Sequence, residues 1–425
     1  MLTGILGGGL SGLALQRFMA SESEVLEKEE RPGGLMRTFH RDGFAYDIGG
    51  HILFSRKEAL LEMLKGFLGS NMHYRMRANW VLYKGRYVKY PFENGLGGLD
   101  REDIFDCLMG FLKNDYPPPA NFLEWIYHMF GTGIAERYLV PYNQKIWKEP
   151  LDRMGIEWVE RVPRPPLEDV VKSAIGIETE GYVHQLYFYY PLQGGIEALI
   201  KAVAGESARI ETGFHVREIE RTRDGWRISD GSREKSYDRL VVTIPVTEAL
   251  EALNGCPADV LEAARALRHN MVRIVLVGVN NDALMDKSAI YIPQSDALPH
   301  RVCFMGYFSA ANVPEGKSSL IAEVTTHRNH ELYKVSDGEL TGKVVEGLHR
   351  AGIIDRHDVA VTEVRNIEYG YVVYDSLYRE HMAKIRSYCS SLGLELLGRW
   401  GEFDYINMDE VVKRAHNLAQ SLKGA

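Results

Sequence analysis

The chain has 425 residues, enough for two or three domains at roughly 150 residues each, and its 45% hydrophobic and 25% charged residues are those of an ordinary globular protein. With 50 Lys and Arg against 58 Asp and Glu the formal net charge is −8, which excludes a broad basic face for nucleic acid but not one compact cationic pocket. Four scattered cysteines (Cys107, Cys256, Cys303, Cys389) form no CxxC pair, so neither a disulfide scaffold nor a cysteine zinc site is expected, a reducing cytoplasmic setting fits, and no apolar run of about 18 residues predicts a spanning helix.

The first predicted elements are strand, glycine turn and helix. Leu2 to Leu6 is a short apolar run, Gly7-Gly8-Gly9-Leu10-Ser11-Gly12 follows, and Leu13 to Met19 has helical composition. No basic region precedes this run, so its glycines read as a structural motif rather than an export signal. In the pattern GxGxxG, Gly7 permits the tight turn, Gly9 lets the backbone approach a pyrophosphate, and Gly12 lets the helix pack closely on the strand. The helix N-terminus offers free N–H groups to phosphates. Val25-Leu26-Glu27 reads as the second strand. Glu27 is placed to accept hydrogen bonds from a ribose diol, although Glu22, Glu24, Glu29 and Glu30 make a solvated acid the plainer alternative.

Arg31-Pro32-Gly33-Gly34-Leu35-Met36-Arg37-Thr38 and Phe44-Ala45-Tyr46-Asp47-Ile48-Gly49-Gly50-His51 follow. Glycine pairs let backbone lie against a flat ring or a phosphate without an intervening Cβ. Glycine turn, acid and glycine pairs together resemble the FAD-binding signature shared by amine oxidases, protoporphyrinogen oxidases, phytoene desaturases and UDP-galactopyranose mutases. The resemblance implies FAD, held by Gly7, Gly9, Gly12, Glu27, Gly33, Gly34, Arg37, Gly49 and Gly50.

Helical patterns come next, at Ala59–Phe67, Arg101–Leu112, Phe122–Phe130 and Ile134–Leu139. Residues 208–245 alternate as strands, with an Asp230-Gly231 turn between Trp226–Ser229 and Arg239–Ile244. Met271–Val279 and residues 318–325 read as sheet strands, and a last helix starts at Asp409. The expected fold class is α/β: a Rossmann-like FAD-binding domain of the glutathione-reductase type, discontinuous over 1–62, 193–245 and 395–425. A mainly helical domain (63–192) and a β-sheet substrate-binding domain (246–394) are inserted in it.

Gly50-His51-Ile52-Leu53-Phe54-Ser55-Arg56, Tyr90-Pro91-Phe92-Glu93-Asn94, Gly131-Thr132-Gly133-Ile134-Ala135, Pro141-Tyr142-Asn143-Gln144-Lys145-Ile146-Trp147, Trp158-Val159-Glu160-Arg161-Val162 and Gly398-Arg399-Trp400-Gly401 occur in this order. Nearly end to end, the chain resembles the UDP-galactopyranose mutase family, its eukaryotic branch more than the short bacterial one. In that family reduced FAD attacks the anomeric carbon of a nucleotide sugar through N5, the sugar ring recloses in its other form, and no net electrons are transferred. The resemblance implies a catalytic group of His51, beside the flavin, with Arg161 and Arg301, and a diphosphate clamp of Arg161, Tyr291, Arg301, Tyr371 and Tyr405. Val216, Arg399 and Asn407 match late flavin contacts. Phe54, Arg56, Tyr90, Phe92, Glu93, Asn143, Trp147 and Gln185 match substrate positions. For any one of these residues a surface or core role is the plain alternative; their order along the chain favours the site.

Three departures bear on specificity. Glu93 replaces a uracil-binding Gln, and a carboxylate accepts but does not donate, so a base other than uracil is expected to suit it. Arg56 stands where the pattern has His, and Gln185 where it has Asn. The expected partner is a nucleoside-diphosphate sugar, with NAD(P)H as a candidate reductant; the sequence leaves a homo-oligomer open. An FAD-dependent oxidoreductase of the amine oxidase or protoporphyrinogen oxidase type and a non-catalytic flavoprotein are the competing expectations.

Overall fold

The computed structural model describes residues 1–19, 22–159, 162, 165–181, 186–206 and 208–424. A parallel sheet carries the N-terminal motif. Its strand order is Leu394–Leu396, Arg239–Val242, Thr3–Leu6, Ser23–Leu26 and Ile210–Glu211. Ile5, Leu6, Leu240, Val241 and Val242 are fully buried, as expected of strands covered on both faces. Helix Leu10–Met19 packs on this sheet with helices Glu197–Ala204 and Met408–Gly424 against it. Strands from the beginning, middle and end of the chain thus share one sheet.

A second sheet has seven strands in the order Val359–Val373, Arg268–Val279, Ser318–Thr326, Arg301–Phe304, Ala289–Tyr291, Asn79–Tyr83 and Arg86–Lys89. Its neighbours are antiparallel except Ala289–Tyr291 with Asn79–Tyr83. The longest pair is irregular between Asn270 and Val272; Asn270 there lies opposite Tyr371 and donates from its amide to the Trp147 carbonyl.

The structure departs from the sequence expectation in two places. The segment expected to be helical contains helices Glu58–Leu68, Arg101–Leu112 and Phe122–Ile134, but three strands lie between the first two. His73–Met76 pairs with Tyr187–Tyr190, and Asn79–Tyr83 and Arg86–Lys89 form a hairpin at the edge of the seven-stranded sheet. The stretch is rich in aromatic residues, and Lys84 and Gly85 both take positive φ, 48° and 76°, which suits a tight hairpin turn. The second departure concerns Trp226–Ser229, which pairs not with Arg239–Val242 but with Glu218–Arg221 and Glu234–Tyr237. The Asp230 carboxylate accepts from the amides of Ser232 (2.8 Å) and Arg233 (2.7 Å) and closes the turn early. The apolar run Arg239–Val242 then goes to the buried parallel sheet.

Candidate active site

Two joined cavities lie between the sheets. The larger, about 680 Å³, runs along the glycine motifs and is lined by Gly7, Gly9, Glu27, Gly33, Gly34, Arg37 and Val216, among others. Its floor is backbone. A Cβ on Gly12 would sit 2.0 Å from the Gly7 carbonyl oxygen, and one on Gly34 would sit 3.1 Å from the Gly9 Cα. Gly33 donates its amide to the Gly8 carbonyl at 2.8 Å, so the two glycine turns lie face to face. The Glu27 carboxylate accepts from the amides of Gly8 (2.7 Å) and Glu29 (2.9 Å), which fixes it at the cavity edge. Arg37 is held by the Gly34 carbonyl (3.1 Å) and Glu29 (3.4 Å). The volume, the missing Cβ atoms and the acid at the cavity edge fit FAD. The buried Trp400 Nε1 and His51 Nδ1 have no partner among the described residues.

His51, Arg399, Leu35, Ile48, Ile367 and Met408 line both cavities. His51 comes two residues after Gly49, whose φ is 87°, and donates its amide to the Gly49 carbonyl at 2.9 Å. Burial, with Arg399 next, pushes the His51 imidazole down to about 4, so it is neutral at physiological pH. Arg399 donates to the Ile406 carbonyl (2.8 Å) and lies over the Tyr405 ring, 4.5 Å from its centroid.

The smaller cavity, about 260 Å³, is lined by Phe54, Arg77, Tyr291, Arg301, Glu323, Tyr371, Tyr405 and Asn407, together with Gly49 and Gly50. Arg301 and Glu323 face each other on neighbouring strands. The guanidinium donates to the carboxylate through Nε (3.0 Å) and Nη2 (2.8 Å). The Tyr371 hydroxyl donates to the same carboxylate at 3.2 Å, and the His300 ring lies 3.5 Å from it. Burial alone raises the Glu323 pKa, but Arg301 and His300 outweigh it and hold it well below the usual carboxylate range. Glu323 therefore neutralises Arg301. Arg77 is different: its Nε and one Nη are buried without a hydrogen-bond partner among the described residues, and its guanidinium lies 4.4 Å over the Phe54 ring. Burial lowers its pKa, yet a guanidinium stays charged at any physiological pH. The cavity thus holds a cation short of acceptors, which suits an anion. Burial also raises the Tyr371 pKa well above its ordinary value, with Glu323 adding to it, so this phenol keeps its proton.

The structure brings together at the cavities His51, Arg301, Tyr291, Tyr371, Tyr405, Phe54, Arg399 and Asn407, besides the glycines and Val216. Gly12 acts from behind the wall. Tyr90 stacks on Tyr291 with centroids 4.3 Å apart. Phe92 is fully buried between Tyr83 and Tyr138. Glu93 is buried as well, and burial pushes its carboxyl up to about 7. Asn143 bonds the Leu139 carbonyl and the Trp147 indole, whose ring packs against Trp158, Tyr371 and Tyr405. These five residues stand behind the lining, and Arg56 is exposed outside it. Arg161 and Gln185 lie outside the described residues. The sequence reading missed Arg77 and Glu323. Glu323 left a signal, a lone acid in an otherwise uncharged strand, Ser318–Thr326; Arg77 left none beyond being one of several basic residues near a strand.

Residues 5–67 match the model of an NAD(P)-binding Rossmann-like domain, and residues 160–385 that of the flavin containing amine oxidoreductases. Among solved structures, reduced UDP-galactopyranose mutase is similar at 25% identity with a TM-score of 0.91, over 100% of this chain and 95% of that one. A proposed protoporphyrinogen oxidase from Exiguobacterium sp. 255-15 matches at 18% identity and TM-score 0.77, over 99% and 98%. Putrescine oxidase bound to putrescine matches at 15% and 0.66, over 100% and 99%. These last two show the shared fold.

Proposed function

The chain belongs to the family of flavin-containing amine oxidoreductases, and from that premise we propose that it is a flavin-dependent mutase interconverting the pyranose and furanose forms of a nucleoside-diphosphate sugar. One observation carries the proposal: Arg77, Arg301 and Tyr371 converge in a cavity that joins the flavin cavity at His51 and Arg399. The similarity to UDP-galactopyranose mutase supports it. In this reading residues 1–62, 193–245 and 395–425 bind the flavin, and 63–192 with 246–394 build the substrate side.

Bound and reduced, FAD supplies a nucleophilic nitrogen at the anomeric carbon and is not consumed. The protein's task is to hold a diphosphate that leaves and must return. Arg77 contributes a charge that no acid among the described residues neutralises. Arg301, locked by Glu323, offers its remaining N–H groups in a fixed direction. Tyr371, and in the same reading Tyr291 and Tyr405, donate hydroxyl hydrogen bonds. Arg161 is proposed as a further clamp cation. His51, with its imidazole neutral, orients groups at the junction through one N–H and one acceptor nitrogen and does not act as an imidazolium acid. The competing amine oxidase reading needs a site that accepts a cation, and an arginine whose buried donors find no partner among the described residues opposes one. The cytoplasm, with NAD(P)H as electron source, is the proposed setting.

The test is to reduce the protein with dithionite, add UDP-galactose, and look for the furanose product by chromatography. Turnover confined to the reduced state supports the mutase; oxygen consumption with an amine or a porphyrinogen and no furanose would replace it by an oxidase. Titration with UDP, GDP, CDP and dTDP addresses the base, since strong UDP preference would remove Glu93 as a selector. Anaerobic bleaching by NADH or NADPH addresses the reductant.

A further inference from the structure

Lys145 has no role in the reaction described above, yet it makes an unusual set of contacts. Its ammonium is 2.8 Å from the Ile292 carbonyl, 2.7 Å from that of Gln294, 2.7 Å from that of Ala297 and 2.8 Å from that of Pro299. These four carbonyls belong to one connection, which leaves strand Ala289–Tyr291 and enters strand Arg301–Phe304. Tyr291 and Arg301 are its two ends and lie opposite each other in register. Most of the connection is buried, only residues 295 and 296 being exposed. Buried carbonyls need donors, and this segment obtains them from one side chain on a different element, helix Val140–Trp147. No carboxylate among the described residues lies within ion-pair distance of Lys145, although Asp296 of the same connection acts on it electrostatically. Burial, with Lys148 next, pushes its pKa down to about 7, against the Asp296 carboxylate, which raises it; only the ammonium form has three N–H groups to share among the four carbonyls.

We propose that Lys145 is a positioning residue for the anion clamp: its ammonium gathers the 292–299 connection and thereby sets the spacing and orientation of Tyr291 and Arg301. The inference rests on the reading of those two residues as diphosphate ligands. Its physical content is that the cage needs a cation with N–H donors, not merely a filled volume. Truncation to Ala removes three methylenes and the ammonium, the outline of propylammonium. That small cation restores both charge and donors, whereas propanol fills the space with one donor and no charge.

The test measures UDP and GDP affinity by the perturbation of flavin absorbance in wild type, Lys145→Met, Lys145→Ala and Arg301→Ala. Expected are at least tenfold weaker binding in both Lys145 variants with flavin content kept, and at least fivefold recovery of Lys145→Ala by propylammonium, with propanol and tetramethylammonium inert. Wild-type affinity in Lys145→Met would overturn the proposal. If Lys145→Met does not fold, Lys145→Ala is purified in propylammonium and dialysed. Loss of nucleotide affinity with the flavin retained supports the positioning role; loss of both together overturns it, since Lys145 would then hold the whole fold. A wild type that binds flavin but no nucleoside diphosphate, with Arg301→Ala unchanged from it, rejects the clamp reading itself and this inference with it.

Discussion

In the flavin cradle the backbone makes the binding surface, whereas in the cationic cavity side chains make it. Gly7, Gly9, Gly12, Gly33 and Gly34 all come from one short stretch, and what they contribute is missing atoms. Arg77, Arg301, Glu323 and Tyr371 come from three strands and a linker, and what they contribute is charge and donors held out of water. The cradle is therefore sensitive to an added atom, and the cavity to a removed charge. Within the cavity the two arginines differ in compensation: Arg301 is neutralised by a buried acid, while Arg77 leaves donors without a partner among the described residues.

The largest effect is expected from Gly12→Val. Its Cβ would lie 2.0 Å from a backbone oxygen that cannot move aside, so the purified variant should carry essentially no flavin absorbance; normal flavin content would show that the cradle tolerates added atoms after all. Glu323→Gln should come next. It leaves the Arg301 guanidinium buried without its acid, which costs about 3–5 kcal/mol when a buried pair loses one partner, read by chemical denaturation. The pair also has a pH signature. Because the folded pKa of Glu323 is depressed, its contribution is fully present above the ordinary carboxylate range and is lost as pH falls through the lowered value; Glu323→Gln should flatten that acid limb.

Arg301→Ala should lower furanose formation by roughly 100-fold, about 2–3 kcal/mol, by removing a desolvated charge pair member, with flavin content unchanged. An unaltered rate would take Arg301 out of the clamp. Arg77→Ala, whose guanidinium has no acid partner among the described residues, should be milder, on the order of tenfold in nucleotide-sugar affinity or about 1.4 kcal/mol, and should slightly raise stability by removing a buried charge. The smallest effect concerns His51. With its imidazole pushed down to about 4, the pH profile of kcat/KM should show no inflection near 6.5 that disappears in His51→Gln.

The cradle was legible in the sequence because its requirements are local. Gly12 has to lack a Cβ wherever a helix follows that turn, and Gly33 and Gly34 advertise the second approach of backbone. The cavity was legible only through family resemblance, and unevenly. Tyr291, Arg301, Tyr371 and Tyr405 stand in its wall, but Tyr90, Phe92, Asn143 and Trp147 stand one layer behind, where they stack on or pack beneath wall residues. Their types could not separate the two layers, since an aromatic ring serves a wall and a core equally well. Of the strands at 73–89, His73–Met76 pairs only with Tyr187–Tyr190, far along the chain, and the local hairpin of Asn79–Tyr83 with Arg86–Lys89 joins a sheet only through the equally distant Ala289–Tyr291.

By itself the sequence determined an α/β flavin-binding fold and its glycine motif, because glycine spacing and apolar runs act through neighbouring backbone. Only the tertiary structure decided the charge state of the site. A net charge of −8 says nothing of which cation is paired. Burial of Glu323 against Arg301, and of Arg77 against a ring instead of an acid, depends on which distant strands meet, and the energy of a charge depends on the partners and the water it has left.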